Sequence, residues 1–414
     1  MRLIWILCAT FILFSCQENV KKETTMKEDV FALADDTFNG RQTGTEGELQ
    51  AATYIEDRFK EIGLVPKGYQ NNYTQTFTFR PSSNPHEQAE FTGLKSDSTL
   101  TGTNVIGFID NKASTTVVIG AHYDHLGMGG EGSLYREEKP AVHNDADDNA
   151  SGVAVMLNLA SKLMDATAEN TKDNNYLFIA FSGEEMGLLG SNYFVKNSTV
   201  DKNGITYMIN MDMVGRLNEE NTIAVHGVGT SPIFKQTLFA NNDYGLTIAE
   251  HNSGIGPSDH TSFYLADIPV LHFFTGQHED YHKPGDDAEK LNYEGMQKIS
   301  DYIHAIIVDL NDDGKLAFRK TKDESEEVPR FKVGLGVVPD YLFTGEGMRI
   351  DGVSEDKPAQ KAGLLKGDIV KKLGAFEVID MMSYMKALAT FEEGQTTKVV
   401  IEREGAKQEV EVTF

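Results

Sequence analysis

Two histidines and a set of acids, far apart in the chain, carry its most reactive pattern. His122 ends an apolar run and Asp124 follows two residues later; Asp147 and Asp148 precede a second apolar stretch. Glu184 and Glu185 stand side by side, Asp212 closes another apolar run, and His282 follows Tyr281. Neutral imidazole and carboxylate are the donors that zinc accepts. Two zinc ions about 3.5–4 Å apart can share a carboxylate and a water, which requires few histidines and several acids. The chain has no His-Glu-x-x-His run, so the single-zinc helix motif is absent. The pattern points to two Zn2+ ions as cofactors.

Residues this far apart need a rigid scaffold. Val117, Val118 and Ile119 form a short buried-strand run ending at His122; Tyr176 to Phe181, Ile205 to Met211 and Ile268 to Phe274 are three more. Val153 to Leu163 is apolar on most faces, as a buried helix is, and Leu291 to Leu310 carries the stripe Met296, Ile299, Ile303, Ile306 and Ile307 of a closing helix. Ala51, Ala52, Ile55 and Phe59 mark an earlier helix ended by Gly63, and residues 72 to 100 read as edge strands and loops. Strands alternating with helices give an α/β fold with a mostly parallel central sheet flanked by helices. Each candidate ligand then follows the C-terminal end of a strand or lies in the loop beyond one, where open α/β sheets build their sites.

The series Gly120-Ala-His122-Tyr-Asp124, Asp148-Asn-Ala-Ser151-Gly152, Ser182-Gly-Glu184-Glu185, Asn210-Met-Asp212-Met and Tyr281-His282 resembles the motifs of the co-catalytic di-zinc aminopeptidases. These are the bacterial leucyl-type enzymes, whose relatives include glutamate carboxypeptidase II and glutaminyl cyclases. The resemblance covers roughly residues 28 to 310. It implies that His122 and Asp212 hold one zinc, Glu185 and His282 the other, and Asp148 bridges. Asp124 would accept the second-nitrogen hydrogen bond of His122 and fix its tautomer. Glu184 would be the general base, and Tyr281 matches a tyrosine that stabilises the oxyanion in some relatives. Asp147 is the competing choice for the bridge; the Asp-Asn-Ala-Ser-Gly spacing favours Asp148. His125 is expected at the rim, and His143, His251, His272 and His278 as structural or surface residues. Ser258-Asp259-His260 is either close to the cleft or a turn, and Arg216 either meets substrate or is ion-paired. Asp145 stands where many relatives have glycine, a change expected to alter the turn without removing a ligand.

With 63 acids against 38 lysines and arginines the formal charge is -25. Such a chain does not bind nucleic acid by counterion release. Residues 1 to 15 read as a signal peptide, with Arg2 before an apolar core too short to span a bilayer. Leu13-Phe14-Ser15-Cys16 resembles the lipobox of bacterial lipoproteins, which implies lipidation of Cys16 and a membrane-anchored protein of the cell envelope, periplasmic or outer-membrane; without lipidation it would be secreted. Cys8 lies in the leader, so the mature chain keeps only Cys16 and has no disulfide or cysteine–metal site. Residues 16 to 27 read as a tether, 28 to 312 as the di-zinc domain and 313 to 329, rich in Lys, Asp and Glu, as a linker. Residues 330 to 414, with Gly334-Leu335-Gly336 and Ala362-Gly363-Leu364-Leu365-Lys366-Gly367-Asp368, resemble the small α+β PDZ domains of bacterial proteases. That resemblance implies a groove for a peptide C-terminus.

The expectation for the whole chain is an exopeptidase that hydrolyses the first peptide bond of peptides with a free N-terminus. A carboxypeptidase or dipeptidase of the same architecture would need cationic groups for a substrate carboxylate, and no arginine cluster is evident. The alternative from another class is an inactive peptide-binding lipoprotein acting through its PDZ domain.

Overall fold

The computed structural model describes residues 24–321 and 333–414, apart from 82–88, 94, 95, 97, 131, 138, 166, 168, 169, 341, 344 and 355. The expected signal peptide and Cys16 lie outside these residues. Among the described residues no helix is long and apolar enough to cross a membrane.

Ten strands form the larger sheet among the described residues: β1 (Val65–Pro66), β2 (Thr74–Arg80), β3 (Glu90–Phe91), β4 (Leu100–Ile109), β5 (Thr115–His122), β6 (Asn174–Phe181), β7 (Ile205–Met211), β8 (Thr222–His226), β9 (Thr247–Glu250) and β10 (Val270–Phe274). Their order is β3-β2-β4-β6-β5-β7-β10-β8-β9, with β1 on β4. The centre, β6-β5-β7-β10, is parallel. Antiparallel pairing of β4 with β6 and of β8 with β10 adds both flanks, so the sheet as a whole is mixed. The centre is the part with both faces covered, and its strands are the continuous apolar runs.

The helices make two outer layers. α1 (Met26–Leu33), α2 (Glu46–Ile62), α3 (Gly152–Met164), α5 (Phe234–Ala240) and α7 (Tyr293–Asp309) share a core with one sheet face; α4 (Leu189–Lys196) and α6 (His260–Tyr264) pack on the other. Alternation assigns each strand residue to its face. Val117, Ile119, Tyr176 and Phe178 point to the first core; Val118, Leu177, Ile179 and Phe181 point to the second. α2 starts where the Thr45 side chain accepts the Glu48 N–H and stops at Gly63, which is left-handed with φ 102°.

The expected linker begins later than residue 313. Thr206 donates to the Gly314 carbonyl, Leu316 is buried, Arg319 N–H donates to Thr230 O, and Thr321 bonds the Tyr264 hydroxyl. Residues 313–321 therefore belong to the larger domain. Their charge pattern concealed the few apolar and hydroxyl anchors that dock them.

The smaller unit has its own sheet, ordered β11 (Val337–Pro339), β12 (Met348–Val353), β13 (Ile369–Leu373), β15 (Thr396–Arg403) and β16 (Ala406–Thr413), with β14 (Phe376–Glu377) on β13. With α8 (Pro358–Lys361) and α9 (Met381–Leu388) it encloses a separate core that includes Leu335, Ile350, Val370, Leu373, Val399 and Ile401.

Candidate metal centre

The four parallel strands end side by side, with His122 opposite Phe181 and Met211 opposite Phe273. The loops leaving these ends bring together His122, Asp148, Glu184, Glu185, Asp212, Tyr281 and His282 around one cavity of about 220 Å³. His122 Nε2 lies 3.3 Å from both Asp148 Oδ1 and Asp212 Oδ1. His282 Nε2 lies 3.2 Å from Asp148 Oδ2 and 3.5 Å from Glu185 Oε2. Asp148 thus presents one oxygen to each histidine.

Asp148 occupies this position because Asp147 is engaged elsewhere. Asp147 Oδ1 accepts the Gly215 N–H, and its carbonyl accepts the Ser151 hydroxyl. The N–H groups of Asp147 and Asp148 both donate to Asp286 Oδ2. Asn149 ties the same turn to the end of β7, donating to Met211 O and accepting from Met213 N–H. Asp286 is buried and binds Arg216, which also pairs with Asp280. Arg216 is therefore an ion-paired anchor of the loop. His278 is part of the same support, 3.3 Å from Asp147.

The ring orientations identify what the site can hold. His122 Nδ1 is 3.2 Å from the Asp124 carbonyl, and His282 Nδ1 is 2.8 Å from the Gly132 carbonyl. A carbonyl can only accept, so each Nδ1 carries the hydrogen. In the neutral ring the lone pair on each Nε2 then faces carboxylate oxygens that also have only lone pairs to offer. Donors arranged in this way fit a cation between them. One donor atom from each of His122, Asp148 and Asp212 lies within 4.8 Å of the others, and the same holds for His125, Asp148, Glu185 and His282. These clusters suit a metal of mixed nitrogen and oxygen preference such as zinc.

Asp124 serves the site differently from the expectation. Its carboxylate is 3.9 Å from His122 Nδ1, too far for a hydrogen bond. Oδ1 accepts the Glu184 N–H at 3.1 Å and Oδ2 the Thr43 hydroxyl at 2.9 Å. The strand ends at His122, and the turn that follows brings the carbonyl of Asp124 closer to the ring than its side chain.

Burial pushes the Glu184 carboxyl well above the ordinary range, with Glu185 and Asp212 adding to the rise against the opposing His122. Tyr281 stacks on His282 with ring centroids 3.8 Å apart, and burial raises its hydroxyl so that it stays protonated. Asp259 is fully buried behind the site and raised to about 7 by burial. Its neighbour Ser258 accepts from Asn210.

Several residues here escaped sequence reasoning. His125, expected at the rim, is 1% exposed and lies 2.6 Å from Glu185. His226 and His272 line the cavity with Phe274, Met213, Pro257 and Gln277, and they belong to a stack with His251 and His260. Burial holds His226, His260 and His272 well below the usual histidine range, so the wall is uncharged. Alternation along β8 and β10 was the available signal, since His226 and His272 are cross-strand partners. Buried Arg41 donates to the carbonyls of Leu33, Tyr123, Asn144 and Asp145, joining the loops that carry His122 and Asp148.

Residues 104–307 match the family model for peptidase family M28. That segment, just under half of the chain, is similar to this family. A PDZ domain model matches residues 317–414, after that segment. Aminopeptidase YwaD of Bacillus subtilis is 29% identical over 227 residues, which is 52% of this chain and 46% of that protein. The alkaline phosphatase isozyme conversion protein of Escherichia coli is 31% identical over 42% of this chain and 47% of its own. A probable leucine aminopeptidase of Arthroderma otae is 25% identical, covering 67% of this chain and 69% of its own. The chain thus spans about half the length of the first two relatives. The fold is shared with a zinc-dependent exopeptidase from Parabacteroides distasonis (TM-score 0.55, 19% identity, 69% of this chain and 97% of that one). It is also shared with the zinc aminopeptidase BSAP of Bacillus subtilis (TM-score 0.51, 18% identity, 72% and 95%).

Proposed function

We propose that this protein is a metal-dependent aminopeptidase that holds two zinc ions and removes the N-terminal residue of peptides. The observation that carries the reading is the pair of buried donor clusters sharing Asp148, with Glu184 on the same cavity. His122 and Asp212 serve one ion and Glu185 and His282 the other. Bound zinc lowers the pKa of water and polarises a peptide carbonyl. Glu184 takes the proton of the attacking water and returns it to the departing amine; a carboxyl raised by burial is suited to both transfers. The neutral Tyr281 hydroxyl donates a hydrogen bond to the carbonyl oxygen as negative charge develops there.

The end of the peptide that is recognised follows from charge. The cavity lining consists of acids, histidines and uncharged residues, with no lysine or arginine among the described residues. Such a cavity favours a substrate ammonium group and offers nothing to a C-terminal carboxylate, since Arg216 is already engaged by Asp280 and Asp286. The relatives named as aminopeptidases support the same end. A catalytically silent binding protein would not need an intact set of donors beside a poised Glu184.

The flanking segments complete the proposal. Lipidation at Cys16 would tether the enzyme in the bacterial cell envelope, and the PDZ domain would bind a peptide C-terminus. Stripping metal with a chelator should abolish release of 4-nitroaniline from an aminoacyl-4-nitroanilide, and zinc should restore it. Full activity in the stripped protein would overturn the proposal.

A further inference from the structure

His125 belongs to one of the two donor clusters, yet the reading above gives it no role, and it is buried at the centre. Its Nδ1 lies 2.6 Å from Glu185 Oε1 and its Nε2 lies 2.8 Å from Asp145 Oδ2. Neither nitrogen has a hydrogen-bond partner of acceptable geometry, and neither does either Asp145 oxygen. The His125 and His282 rings face each other at 5.3 Å with an interplanar angle of 75°. One donor atom of His125 lies within 4.8 Å of donors from Asp148, Glu185 and His282.

We propose that His125 is a protein ligand of one of the two metals, oriented by Asp145, so that this ion has four protein donors and its neighbour three. This rests on the two-metal reading of the same site. The four are His125, Asp148, Glu185 and His282; the three are His122, Asp148 and Asp212. Asp145 makes this possible through its backbone. It adopts a left-handed conformation with φ 45°, which costs a non-glycine residue but directs its carboxylate at His125 Nε2. With a metal on Nδ1, a small turn of the ring would let Asp145, already 2.8 Å away, accept the Nε2 hydrogen and fix the tautomer. His125 is held from the other side by its backbone N–H, which donates to Arg41 O.

The consequence is a division of labour. An ion with four protein donors would be held more firmly by the protein than one with three, which would leave more of its shell to water or substrate. Residues of both donor sets line the cavity, so the two ions would differ in protein donors rather than in access. The ion beside His125 holds Asp148 and Glu185 in place and is bound more tightly.

Cadmium-113 loaded into the full chain carrying nitrogen-15 histidine tests this without any assay of activity. The expected spectrum has metal couplings to three histidine nitrogens, from His122, His125 and His282, with the third lost in His125→Gln. Two couplings, with His125 uncoupled, would overturn the inference and leave the two-metal reading standing. No bound metal at all would overturn both. Zinc titration adds a second readout. Asp145→Asn, which preserves size, should weaken one site on the order of 10- to 100-fold and spare the other. Unchanged affinities at both sites would contradict the role given to Asp145.

Discussion

The Glu184 backbone N–H donates to Asp124 Oδ1 across 3.1 Å, so the acid two residues after His122 fixes the turn that aims Glu184. The other oxygen takes the Thr43 hydroxyl. Asp124 is therefore a positioning residue for Glu184. We expect Asp124→Ala to lower kcat on the order of 10- to 100-fold with little change in KM. Separate measurement of the two constants checks this; a change confined to KM would contradict it.

Proton release should accompany metal binding. Burial alone would lower the pKa of His282, but the Asp148 and Glu185 carboxylates outweigh it and lift it to about 9 in the metal-free protein. His122 is likewise held well above its usual value, where Asp212 and Glu184 overcome burial. Only the neutral ring binds metal. At neutral pH zinc must therefore displace protons, and its apparent affinity should rise with pH. Calorimetry at pH 7 in buffers of different ionisation enthalpy should show proton release on zinc binding. Equal heats in all buffers at pH 7 would contradict the assignment.

Arg41 holds the two central loops through three carbonyls and the end of α1 through a fourth, and its guanidinium is buried. Removing it leaves buried acceptors unmatched and takes a positive charge from among Asp145, Asp148, Asp124 and Asp286. Arg41→Met should cost on the order of 3–5 kcal/mol of stability. Urea unfolding measures this; a loss below about 1 kcal/mol would show that the loops stand without it.

The two sheets have separate cores, and residues 313–321 complete the larger domain. A fragment ending at Thr321 should fold cooperatively, bind zinc and cleave short peptides at rates near those of the full chain. An insoluble or metal-free fragment would indicate that the PDZ domain is required for the fold.

The central strands were legible because burial on both faces leaves an uninterrupted apolar run, as in Val117–Ile119 and Tyr176–Phe181. The ends of these runs located His122, Glu184 and Asp212. The short flank strands β8 and β9 were not legible, since five and four residues give no distinct period. His125 was misplaced because alternation beyond a strand end means nothing once the chain turns. Asp286 and Arg41 were missed for a related reason. Each acts through backbone groups of distant loops, and no local spacing records such partners.

The most direct test uses one peptide in three forms: both ends free, N-terminus acetylated, and C-terminus amidated. Incubated with the zinc-loaded protein and followed by mass spectrometry, the free and amidated forms should lose residues from the N-terminus while the acetylated form stays intact. Glu184→Gln should retain its metal and slow the reaction on the order of 10²- to 10⁴-fold. Shortening from the C-terminus, or unchanged cleavage of the acetylated peptide, would contradict an aminopeptidase.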